Sequence, residues 1–232
     1  MKDIYISITT IPSRINLLSQ ILNCFLKQSV KPKKILLVIP LFSKRFNKEY
    51  EISNSLYTFV EKNKELFEIV RTEIDYGPAT KLFGAIHHVP KDSYILVCDD
   101  DRLVADDFVE KFYNQLLKKQ NDRIIAGKYT FQPGDTIKTP WGCNGILFPQ
   151  SLIGSDIFEY FEALCPECQY VDDVFWYKYF IELKNIDIEQ VNGIRVSYEF
   201  NGTNPLYKEK GALERNNLQK KCFEKKINVT EK

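Results

Sequence analysis

The chain has few of the residues that most metal, nucleotide-loop and secreted frameworks are built from. It holds two histidines, one methionine and ten glycines in 232 residues. The histidines are adjacent, His87 and His88, and neighbours on a helix do not share a face, so they make a poor chelate. The glycines form neither GxxxxGK[ST] nor GxGxxG, which leaves kinase and dehydrogenase readings without an anchor. Ile8–Arg14 has no glycine, which argues against the basic, glycine-rich loop of a nucleotidyltransferase. Asp99-Asp100-Asp101-Arg102 lacks the threonine of a haloacid-dehalogenase-type phosphatase and comes late in the chain for one. No apolar run approaches the ~20 residues of a transmembrane helix. The segment Met1–Ile11 reads as a strand, without the basic head and apolar stretch of a signal peptide. Neither sign of charge dominates: 32 Lys and Arg stand against 31 Asp and Glu. A general attraction to nucleic acid or an acidic membrane surface is therefore not expected.

What is present supports a globular domain with a large core. Hydrophobic residues are 44% and charged residues 27% of the chain, ordinary for one folded unit of this length. The six cysteines, Cys24, Cys98, Cys143, Cys165, Cys168 and Cys222, are dispersed in a chain too large to need stapling. Reduced thiols in a reducing, cytoplasmic compartment are the expectation. Cys165-Pro-Glu-Cys168 is a lone CxxC, a weak signal for zinc that also admits a local disulfide. The sequons at Asn201 and Asn228 read as accidental in a cytosolic chain.

Short apolar runs alternate with helical patterns. Strands are predicted at Ile4–Thr9, Ile35–Ile39, Phe67–Arg71 and Tyr94–Cys98. Helices are predicted from Pro12-Ser13 through Gln28 with Ser13 as N-cap, across Lys48–Leu66, across Ala79–His88, and from Asp106 or Asp107 through Lys119. Repeated strand and helix over residues 1–125 predict an α/β layer with a mostly parallel central sheet. Residues 126–232 carry shorter strands (Ile124–Tyr129, Cys143–Phe148, Ile194–Phe200) and helices near Ser155–Ala163 and Asp173–Leu183. The two halves are expected to form one compact unit, a nucleotide-binding platform with a partner-specific addition.

Chemistry concentrates where Tyr94–Cys98 ends. Asp99, Asp100 and Asp101 follow at once, and open α/β sheets bind ligands beyond the carboxyl ends of their strands. In extended chain, residues two apart face the same way about 6.5–7 Å apart. Asp99 and Asp101 are thus expected to address one site while Asp100 points away. Adjacent carboxylates after a buried strand repel, which calls for a cation or ample solvent. Carboxylates with phosphate oxygens suit Mg2+ or Mn2+.

The run resembles the DxD motif of GT-A glycosyltransferases. Ser7-Ile-Thr-Thr-Ile-Pro-Ser-Arg14 before it and Asp75-Tyr-Gly-Pro-Ala-Thr-Lys81 between strand and acids complete an ordered set more specific than DxD alone. Over residues 4–200 the chain looks like the small, family-2-like GT-A domains of large DNA viruses and some bacteria. That resemblance implies a single GT-A, Rossmann-like domain over residues 1–232, in which 126–232 forms the acceptor half and tail. It also implies a nucleotide-sugar donor, with a UDP-sugar favoured, and transfer to a hydroxyl of a glycan or other acceptor. It places Thr9, Thr10 and Arg14 at the base and ribose, Asp75 at the base, and Lys81 at the donor's phosphate or ribose. Asp99 falls at the ribose or a metal-bound water and Asp101 on the metal directly, with Asp100 beside them and Arg102 steadying the cluster. Trp141, Asn144 and Gly145 border the sugar and acceptor. Asp173, or else Asp172, falls at the general base of an inverting transfer, one catalysing while the other caps a helix. Some relatives supply a third metal ligand from a C-terminal histidine, which this chain lacks; water and diphosphate would complete the coordination. Residues from Asn201 onward are expected to form a lid. The implied setting is the cytoplasm of a bacterium or of a virus-infected cell. A non-catalytic carbohydrate- or nucleotide-sugar-binding module is the alternative of another class, and a nucleotidyltransferase the remaining one.

Overall fold

The computed structural model describes residues 2–118, 122–131, 138–197 and 212–224, the side chains of 131 and 212–216 excepted. Chain order gives β1 (Ile4–Ile8), α1 (Leu18–Leu26), β2 (Lys34–Pro40), β3 (Phe42–Ser43), β4 (Lys48–Glu49), α2 (Asn54–Lys62), β5 (Phe67–Thr72), α3 (Thr80–Phe83), β6 (Tyr94–Cys98) and α4 (Phe108–Leu117). The second half adds β7 (Ile124–Ala126), β8 (Tyr129–Phe131), β9 (Lys138–Pro140), β10 (Ile146–Pro149), α5 (Ile157–Glu162), α6 (Asp172–Trp176), β11 (Ile188–Gln190) and α7 (Ala212–Glu224). A π-helical stretch, Tyr177–Leu183, continues α6.

Seven strands form one sheet in the order β11-β7-β10-β6-β1-β2-β5. β1 runs parallel to β2 and β6, β2 to β5, and β11 to β7; β10 alone runs against both neighbours. Strand periodicity splits the core in two. Ile35, Leu37 and Ile39 of β2 join Ile4, Ile6 and Ile8 of β1 against α1, α2 and α4 on one face. Leu36 and Val38 join Ile95 and Val97 of β6 on the other face, against α3, α5 and α6. The second face is rich in rings: Phe83 meets Phe158, Phe161, Phe175 and Trp176 with centroids 4.9–6.3 Å apart. Edge-to-face pairs of this kind add to area burial, and they fix α6 against α3 beneath the ends of β1 and β6.

Several sequence expectations are corrected. Lys48–Leu66 is not one helix: β3 and β4 pair as a hairpin, and α2 starts only after Ser53, whose Oγ accepts the Leu56 N–H. Ser13 caps nothing; a 3-10 turn over Ile15–Leu17 precedes α1, with Arg14 and then Leu17 at the cap positions. The helix read over Ala79–His88 is a 3-10 turn and the four residues of α3. Asp107 stands at the start of α4 without a side-chain cap bond. Residues 142–144 form a 3-10 turn, so that strand begins at Ile146. Of the strand read at Ile194–Phe200 the described part makes one bridge, Val104 to Val196, and its last three residues lie outside the described residues. The lid from Asn201, with the Asn201 sequon, lies outside them too, as does Asn228. Not all cysteines are thiols, because Cys168 and Cys222 form a disulfide. Among the described residues no helix is long and apolar enough to cross a membrane.

Candidate active site

β6 delivers its last residue, Cys98, fully inside the sheet, and the chain then leaves the strand and turns at Asp100 and Asp101. The acidic run is therefore a bend, not an extension of the strand, and each of its carboxylates meets a cation. Asp99 Oδ1 lies 2.6 Å from Lys81 Nζ. Asp100 is buried, accepting from Arg14 Nη1 at 2.7 Å and Thr10 Oγ1 at 2.6 Å, and through Arg14 it stays beside Asp101 instead of pointing away from it. Asp101 lies 3.2 Å from Arg14 Nη1 and 3.4 Å from Arg102 Nε.

The turn after β1 thus supports the acids. Thr9 Oγ1 donates to the Val38 carbonyl at 2.8 Å, tying β1 to β2. The Tyr50 hydroxyl donates to the Thr10 carbonyl at 2.8 Å. Arg14 is 6% exposed, with its guanidinium against the acidic run. Asp75 is occupied in the same manner: its two oxygens accept the N–H groups of Gly77 at 2.7 Å and Lys44 at 2.9 Å, closing the turn before α3. Gly77 has φ +59°, and a Cβ there would meet Tyr170 Cδ1 at 3.1 Å, so glycine is required at this turn.

Lys81 is the link to the second acidic group. Its backbone carbonyl accepts from Ser7 Oγ on β1, and its side chain, 3% exposed, runs beneath the sheet end. Nζ lies between Asp99 at 2.6 Å and Asp172 Oδ2 at 2.9 Å. Burial alone would push this ammonium down; Asp172 and Asp99 outweigh it and hold it well above an ordinary lysine. Neither Asp172 nor Asp173 caps α6, whose cap position is Val171, without a side-chain bond. Asp173 accepts the Gly142 N–H at 2.8 Å and is less buried than Asp172. Gly142 sits where backbone must come close: a Cβ there would lie 3.3 Å from both Asp173 Oδ1 and Lys81 Nζ.

The wall beyond comes from the β8–β9 hairpin and the turn that follows it. Trp141 donates Nε1–H to Thr130 Oγ1 at 3.0 Å, and Lys128 Nζ stands 4.4 Å from its ring centre, a cation–π contact. Asn144 is buried, and its side-chain oxygen accepts from Cys143 Sγ at 3.3 Å. Gly145 has φ +85°, and a Cβ would stand 2.8 Å from Phe108. Cys143 lies in the field of both acidic groups. Burial first, then Asp99 and Asp173, push its thiol up to about 12. An open hollow of about 500 Å³ lies next to the run, lined by Leu103, Val104 and Arg195 among others. The histidines sit elsewhere, His88 3.8 Å from Glu68 and His87 stacked on Phe158.

The donor set fits a divalent cation. Among the described residues, five carboxylates (Asp99, Asp100, Asp101, Asp172, Asp173) are gathered with three cations (Lys81, Arg14, Arg102), a sum of two negative charges over these eight groups. The excess is felt at Asp101, whose carboxyl is held above its ordinary value by burial, then Asp99 and Asp100, in spite of both arginines. Asp99 and Asp101 offer oxygen ligands, and Mg2+ is commonly held by one or two carboxylates with phosphate and water.

The sequence names the acids and the close approach at Gly142, but gives no role to Cys143 or Tyr50 and does not show the inward duty of Arg14. Only Arg14 carried a usable signal, since three consecutive carboxylates need nearby cations.

No protein-family model matches the chain, and no curated protein matches it. Solved structures do. Glucosyl-3-phosphoglycerate synthase from Mycobacterium tuberculosis, in complex with Mn2+, UDP and glucosyl-3-phosphoglycerate, superimposes with TM-score 0.58 at 13% identity over 95% of this chain and 80% of that one. S. aureus TarS in complex with UDP gives TM-score 0.54 at 14% identity, covering 83% of this chain and 58% of that one. A mannosyltransferase from Pyrobaculum calidifontis in complex with GDP-Man and Mn2+ gives 0.52 at 13%, covering 81% and 54%. The chain therefore spans little more than half the length of the latter two. With its mixed, mostly parallel seven-stranded sheet flanked by helices, the chain has the GT-A fold of these glycosyltransferases.

Proposed function

We propose that this chain is a metal-dependent glycosyltransferase that moves a sugar from a nucleoside-diphosphate donor, a UDP-sugar by preference, to a hydroxyl of a glycan or other acceptor. One observation carries the reading. Lys81 Nζ touches both Asp99 and Asp172, so the acidic run at the sheet end and the acid pair at the start of α6 are joined in one cluster, which on this reading forms the groove for donor and acceptor. A donor's leaving group and an acceptor's proton need adjacent but separate acidic sites, and this groove offers both.

Asp99 and Asp101 would hold Mn2+ or Mg2+, which when bound supplies positive charge against the diphosphate oxygens. Asp100 keeps the run in place through Thr10 and Arg14. Thr9, Thr10 and Asp75 border the base and ribose through the turns they brace. Lys81 lies at the inner end of the donor site. Trp141, Asn144 and Gly145 form the wall on the sugar and acceptor side. Asp173 is the general base in preference to Asp172. A base must reach the proton that it removes; Asp172 is buried against Lys81, whereas Asp173 is partly open. Asp173 takes the acceptor hydroxyl proton as that oxygen attacks the anomeric carbon, and the nucleoside diphosphate departs from the opposite side. The outcome is inversion without a covalent sugar intermediate.

A screen of UDP-, GDP- and dTDP-sugars with Mn2+ tests the reading, following release of free nucleoside diphosphate with and without simple sugar acceptors. Release from one donor class, abolished by EDTA, is expected. Donor binding with no release under any acceptor would mark a binding module instead.

A further inference from the structure

Away from the acidic groove three sulfurs meet. The Sγ atoms of Cys165, Cys168 and Cys222 all lie within 4.8 Å of one another. Cys168 and Cys222 are bonded, across a sequence separation of 54. Cys165 keeps its thiol, with Sγ 2.8 Å from that of Cys168. The approach is built into the backbone: the Cys168 N–H donates to the Cys165 carbonyl at 2.9 Å. A turn closed in this way brings the two Cα atoms within the span that a disulfide bridges. Cys165 is half-buried, whereas Cys168 and Cys222 are each 2% exposed. The one thiol of the trio is thus the one with access to solvent, and it already touches the bonded sulfur.

We propose that these three cysteines form a thiol–disulfide exchange site in which Cys165 displaces Cys222 from Cys168 and unfastens the C-terminal helix from the start of α6. Cys165 gives its proton to solvent, and the thiolate attacks Cys168 Sγ. The Cys165–Cys168 bond forms as the Cys168–Cys222 bond breaks, and the electron pair leaves on Cys222 Sγ, which takes a proton from solvent. One disulfide and one thiol are present before and after, so neither an oxidant nor a reductant is consumed. Such exchange requires a thiolate within reach of a disulfide sulfur, which is the arrangement present.

The mechanical consequence follows from what Cys222 holds. α7 packs against α6 and the turn at residues 168–170, with Leu218 and Phe223 on the core and the Phe223 ring 5.4 Å from Tyr177. Exchange replaces a cross-link that closes a long loop with one that closes a single turn, which restrains far less chain. Cys168 also begins the turn that leads through Tyr170, packed on Gly77, into Asp172. The two bonding patterns therefore differ at the rim of the groove. The inference stands apart from the catalytic reading, because its readout is a bond map.

The test uses the full chain, oxidised under glutathione, incubated at pH 6 or pH 8, quenched with acid, alkylated and digested without reduction. Mass spectrometry of the peptides is expected to find both the 168–222 and the 165–168 linkages. The second should grow faster at pH 8, and Cys222 should become alkylated as it does. Cys165→Ser should abolish the second linkage, and Cys222→Ser should yield it alone. Hydrogen exchange in residues 212–224 should quicken in the 165–168 form. The proposal is overturned if Cys165 is fully alkylated under every condition with only 168–222 found. It is equally overturned if oxidising glutathione produces no bond among the three, or if they hold stoichiometric zinc as thiolates.

Discussion

The two acidic groups of the groove are built by opposite means. The run after β6 is cross-linked by cations: Asp100 and Asp101 share Arg14, Asp101 adds Arg102, and Asp99 takes Lys81. The pair at α6 is held otherwise, with Lys81 on Asp172 and the Gly142 backbone N–H on Asp173. Such a difference suits two tasks. A donor site must keep several like charges fixed before any ligand arrives, which requires opposite charges around them. A general base must stay reachable and ready to take a proton, which a tight ion pair opposes. Lys81 belongs to both groups and sets the distance between them.

The comparison breaks most visibly at the pair. Asp173→Asn is expected to lower turnover about 10²–10⁴-fold, the usual reach of general-base catalysis, while leaving donor affinity unchanged. Asp172→Asn should alter turnover less. Steady-state kinetics on both variants checks this; the reverse order would transfer the base to Asp172. Next in size is the shared cation. Lys81→Met removes the cation that Asp172 is buried against, and breaking a buried pair from one side costs about 3–5 kcal/mol. Urea unfolding should show that loss, with Lys81→Arg recovering part of it; a change below about 1 kcal/mol would mean that the acids do not depend on Lys81. The smallest effect reports on the field between the groups. With Cys143 pushed up to about 12, only about one thiol in ten thousand is ionised at pH 8, and the thiolate is the reactive form. Alkylation of Cys143 should therefore be slow at pH 8 and rise about tenfold per pH unit up to about pH 11. A profile already flat above pH 9 would contradict the burial of Cys143 and, after it, the negative field of Asp99 and Asp173.

The sheet was legible because its buried strands are written as apolar runs. Ile35–Ile39 and Tyr94–Cys98 are unbroken apolar runs, the first closed by Pro40 as the last residue of β2 and the second followed at once by Asp99. Lys48–Leu66 misled because Lys48 and Glu49 favour a helix in isolation, while the hairpin they join depends on pairing with Phe42 and Ser43. Ser53, three residues before Leu56, was the capping signal for the true start. Within the site, both acidic groups could be read from sequence, because like charges side by side are conspicuous. Lys81's bridge could not, since it depends on bringing α3 and α6 together through Phe83 and its ring neighbours. Arg14 was read toward a nucleotide base because its partners, Asp100 and Asp101, lie a whole crossover away in sequence. The Cys168–Cys222 bond was out of reach for a related reason: spacing does not determine connectivity.

In the proposed function, Asp101, with Asp99, holds a divalent cation against a nucleoside diphosphate. Calorimetric titration of UDP into the chain with Mn2+, repeated with EDTA and with Asp101→Asn, tests it most directly. Binding is expected to require the metal and to weaken at least about tenfold, about 1.4 kcal/mol, in the variant, with the thermal unfolding of the two chains alike. Equal heats of UDP binding in the variant, or with EDTA, would contradict it.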